Sequence, residues 1–411
     1  MSRFNTQTSH PLIPNSQEYQ FEQQYISIHS EDRNILKYPN ASEFEIQLPQ
    51  DYQNVQGFRL ASGCFPVNFT MFSPKSKNVT MTFQITKPYD ATQLVPLNPI
   101  QTKIEAMLND MSGNNFVVVI ETGNYKPSQM TTEIQNKMNA SVTSYLLGST
   151  TTLTAAEVTT FETAGGYQEF VVAYHEVNRK LSFGNRSSQF LLTNQDTARY
   201  EEEGHVCLCD NRDISPNFKH WGLPGYLGFT RCNAPSIEQT NKNQTRFYYG
   251  DVLSGDNGYW LTANSALTGS SGYFVNSPMT LNLRPPSYFY MDIKLLNAID
   301  ETAPYNFSKF TQETNQTNGK VKSSFAKIPL SANDEQNNYY ENNCGETNFY
   351  KIYTPPVERI SKLSIKFRHH DGMLVDFGNN DYSFCLEFCI FRPNNNRIYN
   401  MRVPESIANN P

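Results

Sequence analysis

The chain has 411 residues with 33 Lys and Arg against 39 Asp and Glu, a formal net charge of −6, and only 18% charged residues. The basic residues nowhere cluster into a patch that would neutralise phosphates, which excludes direct packaging or reading of nucleic acid. No run approaches the roughly 18 apolar residues of a membrane-crossing helix, and the opening segment MSRFNTQTSHPLIPNSQEYQ lacks the apolar core of a signal peptide, so the chain is expected to be made and kept in the cytosol.

Aromatic residues make up 13% of the chain, with 24 Tyr and 27 Phe. Few charges with many aromatic and β-branched residues suit half-buried pleated surfaces, so the expected class is mostly β. A mean hydropathy of −0.56 comes from amides and hydroxyls, which favour turns and loops over helices. The length fits one large all-β domain with insertions or two smaller domains.

Residues 1–19 carry Pro11 and Pro14, show no periodicity and read as a flexible arm. An alternating strand at Tyr25–Ile28 runs into the charged turn Glu31, Asp32, Arg33, then the turn Tyr38, Pro39, Asn40. A second alternating strand, Phe44–Leu48, is closed by Pro49; Val55–Ser62 and Val79–Thr86 follow, then a polar loop through 87–103. Phe116–Ile120 reads as a strand buried on both faces. After the turn Glu121–Pro127, Ser128 is placed as the cap of a short helix whose apolar stripe is Met130, Ile134 and Met138.

The Thr-, Ala- and Gly-rich stretch 143–166 is expected as an exposed loop or hairpin. Tyr167–His175 and Lys180–Phe183 read as strands joined by the turn Glu176–Arg179, with Gln189–Leu192 after them. Glu201, Glu202 and Glu203 form a solvated loop without the staggered ligands and Gly turn of a calcium site. Trp221–Phe229 places glycines in an aromatic cluster that turns tightly against a core. Residues 233–280 are a long insertion with Trp260 and Tyr273, and a loop of that length is usually functional. Ser287–Leu296 is a strand, 301–320 a polar insertion, and Phe325–Leu330 another strand. Phe349–Tyr353 leads through Thr354, Pro355 and Pro356 to the strand Ile360–Arg368. The tight turn His369–Gly372 and Val375–Phe377 lead to the last strand, Ser383–Phe391, before a tail at 394–411.

Candidate chemistry is sparse. The seven cysteines, Cys64, Cys207, Cys209, Cys232, Cys344, Cys385 and Cys389, are an odd, scattered set rather than a disulfide framework. His205, Cys207 and Cys209 would share a strand face, but a zinc site needs a fourth ligand and usually the Cys-x2-Cys turn, so no metal is assigned. Cys385, Glu387 and Cys389 likewise share a face and read as core packing. Eight sequons occur, at Asn40, Asn68, Asn78, Asn139, Asn185, Asn243, Asn306 and Asn315, a number expected from the composition. His369, His370, Asp371 and Asp376 are the best raw material for acid–base work, but an Asp-Gly pair is above all a hairpin signal. None of the nucleotide-binding, hydrolase or metalloprotease motifs appears. No catalytic, cofactor-binding or metal residues are therefore assigned, no cofactor is expected, and the chain is read as a non-enzyme.

Three segments carry a resemblance: YISIHSEDRNILKYPNASEFEIQLPQDYQNVQGFRLASGCFPVNFT at residues 25–70, WGLPGYLGF at 221–229, and FYKIYTPPVERISKLSIKFRHHDGMLVDFGNNDYSFCLEFCIF at 349–391. With the strand-turn-helix at 116–138, they resemble, in order, the minor capsid proteins of large icosahedral double-stranded DNA viruses, over about a third of the chain. The resemblance implies a jelly-roll β-sandwich at 20–393, elaborated by insertions near 143–166, 233–280 and 301–320. A double jelly roll, split near 195–235, is the alternative. It further implies a virion structural protein, made in the host cytoplasm, that cements or completes the shell at a vertex or between capsomers. Its partners would be the major capsid protein and other minor capsid proteins, with self-association and proximity to an internal viral membrane left open. Two rival functions remain: a glycan- or receptor-binding module using Trp260 and Tyr273, and a β-sandwich glycan hydrolase, which needs two carboxylates about 5–9.5 Å apart.

Overall fold

The structure, a computed structural model, describes residues 19–66, 70–96, 98–148, 153–193, 222–230, 232–240, 260–301, 323–330, 339–343, 351–370 and 372–393. In chain order, β1 (Tyr19–His29) and β2 (Glu43–Pro66) are followed by β3 (Thr80–Lys87), α1 (Pro99–Asp110), β4 (Phe116–Val119), α2 (Pro127–Gly148), α3 (Ala155–Thr163), β5 (Phe170–His175), β6 (Lys180–Asn185) and β7 (Gln189–Thr193). Next come α4 (Leu223–Tyr226), β8 (Ala234–Pro235), β9 (Ile237–Glu238) and β10 (Tyr273–Asn276). The last part holds β11 (Tyr288–Ile293), β12 (Ile299–Asp300), β13 (Ser323–Ser324), β14 (Ala326–Pro329), β15 (Tyr339–Asn343), β16 (Lys351–Arg368) and β17 (Ser383–Pro393). The chain divides into two compact units, with breaks at 69/70 and 285/286. All of the sheets are antiparallel; the first unit is built of strands, the second adds α1 to α4 to its sheets, and the chain as a whole is mostly β, in keeping with the jelly-roll β-sandwich class.

The first unit holds a seven-stranded sheet in the order β1-β17-β2-β16-β11-β14, with β15 also paired to β2, and the small two-stranded sheet β12-β13. Its organiser is β2, whose 24 residues would span roughly 80 Å if straight. Yet the ring of Phe65, near its end, lies 5.5 Å from that of Phe367, whose backbone N–H bonds Ser42 O just before β2 begins. The strand therefore curls back on itself. Asn54, in the left-handed region at φ 53, and the register shifts against β16 and β17 supply the bends. The curl gathers Phe44, Phe58, Phe65, Phe289, Phe367, Phe384 and Phe388 into one core. The two separate strands expected at 44–48 and 55–62 are thus one. Likewise β16 runs through Pro355 and Pro356, which fall in the gap of its pairing between Ile352 and Val357, where no ladder N–H is required.

The second unit sandwiches two four-stranded sheets, β4-β3-β7-β8 and β5-β6-β10-β9. Phe170 bridges them, edge-on to Phe83 at 4.9 Å and to Phe190 at 5.4 Å. Helix α2 inserts Met130, Ile134, Met138, Val142 and Leu146, a four-residue period that lays one stripe on the core. It starts at Pro127, so Ser128 lies inside the first turn instead of capping it. Two further helices replace predicted loops. Asn98 accepts from the N–H groups of Ile100 and Gln101, Pro99 takes the first helical position, and α1 follows where a loop was expected to reach residue 103. A reciprocal Thr154–Glu157 capping box starts α3 within the stretch expected as an exposed connection. After α4, Gly228 turns at φ +87, and a Cβ there would sit 2.3 Å from Met279 O.

Candidate functional site

The charged residues that converge in the first unit do so across strands. Arg368, 5% exposed at the end of β16, forks onto Asp292 of β11, with Nε–Oδ2 at 2.6 Å and Nη2–Oδ1 at 3.0 Å. Its Nη2 also reaches Glu301 Oε1 at 2.6 Å, and His370 Nδ1 lies 3.3 Å from Glu301 Oε2. The guanidinium sits 5.2 Å from the Tyr290 ring centroid. Burial works against ionising Glu301, but hydrogen bonds from His370 and Arg368 outweigh it and hold the carboxyl below its usual value. Burial pushes Asp292 upward against the pull of the same guanidinium. Both carboxylates are occupied by one cation, so the arrangement ties β11, β16 and the start of the 301–320 segment together and leaves no base free to act on a substrate.

His369 and His370 form the predicted turn, with Gly372 N–H donating to His369 O at 3.0 Å and His369 N–H to Met373 O at 2.8 Å. Asp376 caps its own turn through Gly378 N–H. Asp371 lies outside the described residues, as do His205, Cys207, Cys209, Cys344, the Glu201–Glu203 run and Trp221. Of the two cysteines read as core packing, Cys389 is buried and Cys385 half-buried, although the face of β17 that meets the main apolar cluster is the opposite one. Phe384, Leu386, Phe388 and Ile390 take that face of β17, while the cysteines flank Glu387 on the other, where Arg59 Nη2 bonds its carboxylate at 2.6 Å. Burial, then the neighbouring Glu387, pushes the Cys385 thiol up and makes it a poor nucleophile.

In the second unit a buried carboxyl, Glu105, and a half-buried one, Glu169, lie close enough to act on one another. Glu105 of α1 is 3% exposed, its Oε1 accepts from Gln101 Nε2 at 2.7 Å, and its Oε2 has no hydrogen-bond partner among the described residues. Burial, reinforced by Glu169, raises it to about 7. Glu169 Oε1 accepts from Asn264 Nδ2 at 2.7 Å and its Oε2 is also unpartnered. A carboxyl that keeps its proton near neutrality resembles a general acid, but one sealed this deeply has no access to a substrate. Sequence reasoning missed it because residue 105 was adjacent to a segment read as loop.

Trp260, expected as an exposed platform, is instead half-buried over Gly184 and edge-on to Phe274 at 6.4 Å, and Tyr273 is half-buried on β10. The four described sequons have working side chains. Asn40 Oδ1 accepts from Ser42, Asn78 bridges Ser73 N–H and Met71 O, Asn139 bridges both backbone groups of Phe170, and Asn185 is fully buried with its amide on the Tyr167 hydroxyl. Asn68, Asn243, Asn306 and Asn315 lie outside the described residues. Among the described residues, no group of three or more His, Cys, Asp or Glu is placed to hold a metal ion, and no helix is long and apolar enough to cross a membrane.

No protein-family model matches the sequence. The chain is similar to the penton capsid protein P1 of Paramecium bursaria Chlorella virus 1, at 28% identity over 118 residues, which is 28% of this chain and 62% of that protein. A crystal structure of the mavirus penton protein aligns with 90% of this chain and 99% of its own at a TM-score of 0.33 and 8% identity.

Proposed function

We propose that this chain is a structural capsid protein of a large icosahedral DNA virus and that it completes the shell at a vertex. The observation that carries the reading is the 118-residue similarity to a penton capsid protein. The chemistry of the interior supports it. Asp292, Glu301 and Glu387 are each engaged by arginine, and Glu105 is sealed in a core, so the converging acids build the scaffold. The mechanism is adhesive: rigid antiparallel units present their surfaces to neighbouring capsid subunits, and symmetry multiplies contacts that are individually weak. The major capsid protein and other minor capsid proteins are the partners this role requires, and the virion is its location.

Quantitative mass spectrometry of purified virions, referenced to the major capsid protein, tests it. A handful of copies per vertex is expected. Hundreds per particle would move the protein to a cementing position between capsomers, and absence from virions would overturn the capsid role.

A further inference from the structure

We infer that the second unit carries a binding cleft for a carboxylate-rich peptide segment of a neighbouring capsid subunit, an inference that rests on the capsid role above. The cleft is a cavity of about 700 Å³ where the start of α2, the β5–β6 turn and the extended run 280–284 meet. Such a volume suits a multi-atom ligand, roughly 300–1,000 Å³, rather than one inorganic anion. Lys126, Arg179 and Arg284 line it from these three elements, all exposed, and among the described residues no Asp or Glu lines it. In a chain of net charge −6 this is a local reversal of sign. The 22-residue α2 begins at its wall, adding the partial positive charge of its unpaired N–H groups. Glu121 and Glu133, the acids that act on Tyr125 in the same wall, are both turned to Lys137, at 2.6 and 3.8 Å.

The hydrogen-bonding character selects the ligand. Among the described residues the lining carries three cations, which only donate, and no carboxylate; the hydroxyls of Tyr125, Tyr174 and Thr280 can donate as well as accept, and its carboxamide, Asn282, uses Oδ1 to accept the Arg284 N–H at 3.3 Å. Sugars and nucleobases present donors that need acceptors, whereas carboxylates only accept. The cations come from separate segments around an open cleft, which fits charges spread along a peptide better than one compact anion. The half-buried rings of Tyr125 and Tyr174 give the aliphatic stems of glutamates an apolar wall. Arg179 adds an independent sign of use. It stands at φ 57, where glycine would sit without strain, at the last position of the β5–β6 turn.

The test is fluorescence anisotropy with the full-length protein and a fluorescein-labelled alternating Glu-Gly peptide, with its Gln-Gly counterpart as control. The Glu peptide should bind and the Gln peptide should not, with affinity falling as salt rises. Arg284→Ala and Arg179→Gly should each weaken binding about three- to ten-fold. Arg179→Gly should melt at or above wild type, because it relieves the turn, so lost binding cannot be ascribed to lost folding. Equal binding of the two peptides, or unchanged binding in both variants, would overturn the inference. So would preference for a heparin-derived sulfated oligosaccharide that the same variants abolish, since the cleft would then serve sulfated sugar. Absence of the protein from virions would remove the proposed neighbour without altering the peptide result, so the two readings fail separately.

Discussion

Replacing Glu105 by Gln should stabilise the second unit above neutrality and flatten its pH dependence. The folded state holds this carboxyl at about 7 against an ordinary value of 4.5, because burial, with Glu169 adding to it, outweighs the hydrogen bonding led by Gln101. A difference of about 2.5 units corresponds to about 3 kcal/mol at 1.36 kcal/mol per unit. Because the folded value is the raised one, the unfolded chain gives up its proton first as pH climbs. Stability is therefore complete below about 4.5, falls through the interval up to 7 and stays low above it. Glutamine keeps the shape, still accepts from Gln101 and can donate its amide towards Glu169, so the variant should gain about 2–3 kcal/mol at pH 8 and little at pH 5. Both tryptophans of the chain, Trp221 and Trp260, belong to the segment 70–285, so intrinsic fluorescence during urea unfolding follows this unit. The difference between wild type and variant, measured from pH 5 to 8, cancels other titrating groups. A difference that does not grow with pH, or a variant less stable than wild type at pH 8, would refute the reasoning.

Arg368→Ala should cost about 3–5 kcal/mol by leaving Asp292 and Glu301 buried without their cation, read as a lower urea midpoint in circular dichroism. Phe65→Ala removes a fully buried ring that touches Phe289, Phe367 and Tyr382 and should cost a similar amount, about 3–5 kcal/mol; a loss under 1 kcal/mol would mean that β2 does not close the core. Leu295 is 90% exposed at φ 72, so Leu295→Gly should raise stability by about 0.5–1 kcal/mol in the same assay.

Alternation in the sequence located the strand pieces reliably, because period-two patterning is local: Phe44–Leu48 and Val55–Ser62 both lie within β2. Their union was hidden by Pro49 between them and by Asn54, which adopts a left-handed conformation only because partners on both sides hold the strand through the bend. The missed helices had left signals of their own, Asn98 before Pro99 and Thr154 three residues before Glu157, which polar composition outweighed in the reading. The Arg368 cluster was not legible at all. Its members are 76 and 67 residues apart, and their meeting depends on strand pairing that no linear spacing encodes. On β17 alternation gave the members of the cysteine face, with Cys389 buried as read, but not that Phe384, Leu386, Phe388 and Ile390 meet the main cluster, since alternation says which residues share a face but not which face meets the larger core.

The curled sheet also dictates an order of events at the ribosome. Ser30 meets Asp381 across 351 residues of chain, and β1 and β2 find their partners β16 and β17 only after the whole segment between them has been made. The intervening segment 70–285 closes its own sheets and needs nothing downstream to do so. During translation it can therefore assemble early, while two long strands, apolar on the face meant for the core, wait unpaired. Such strands are aggregation-prone, so yield in cells should hinge on how quickly the last third is synthesised and captured.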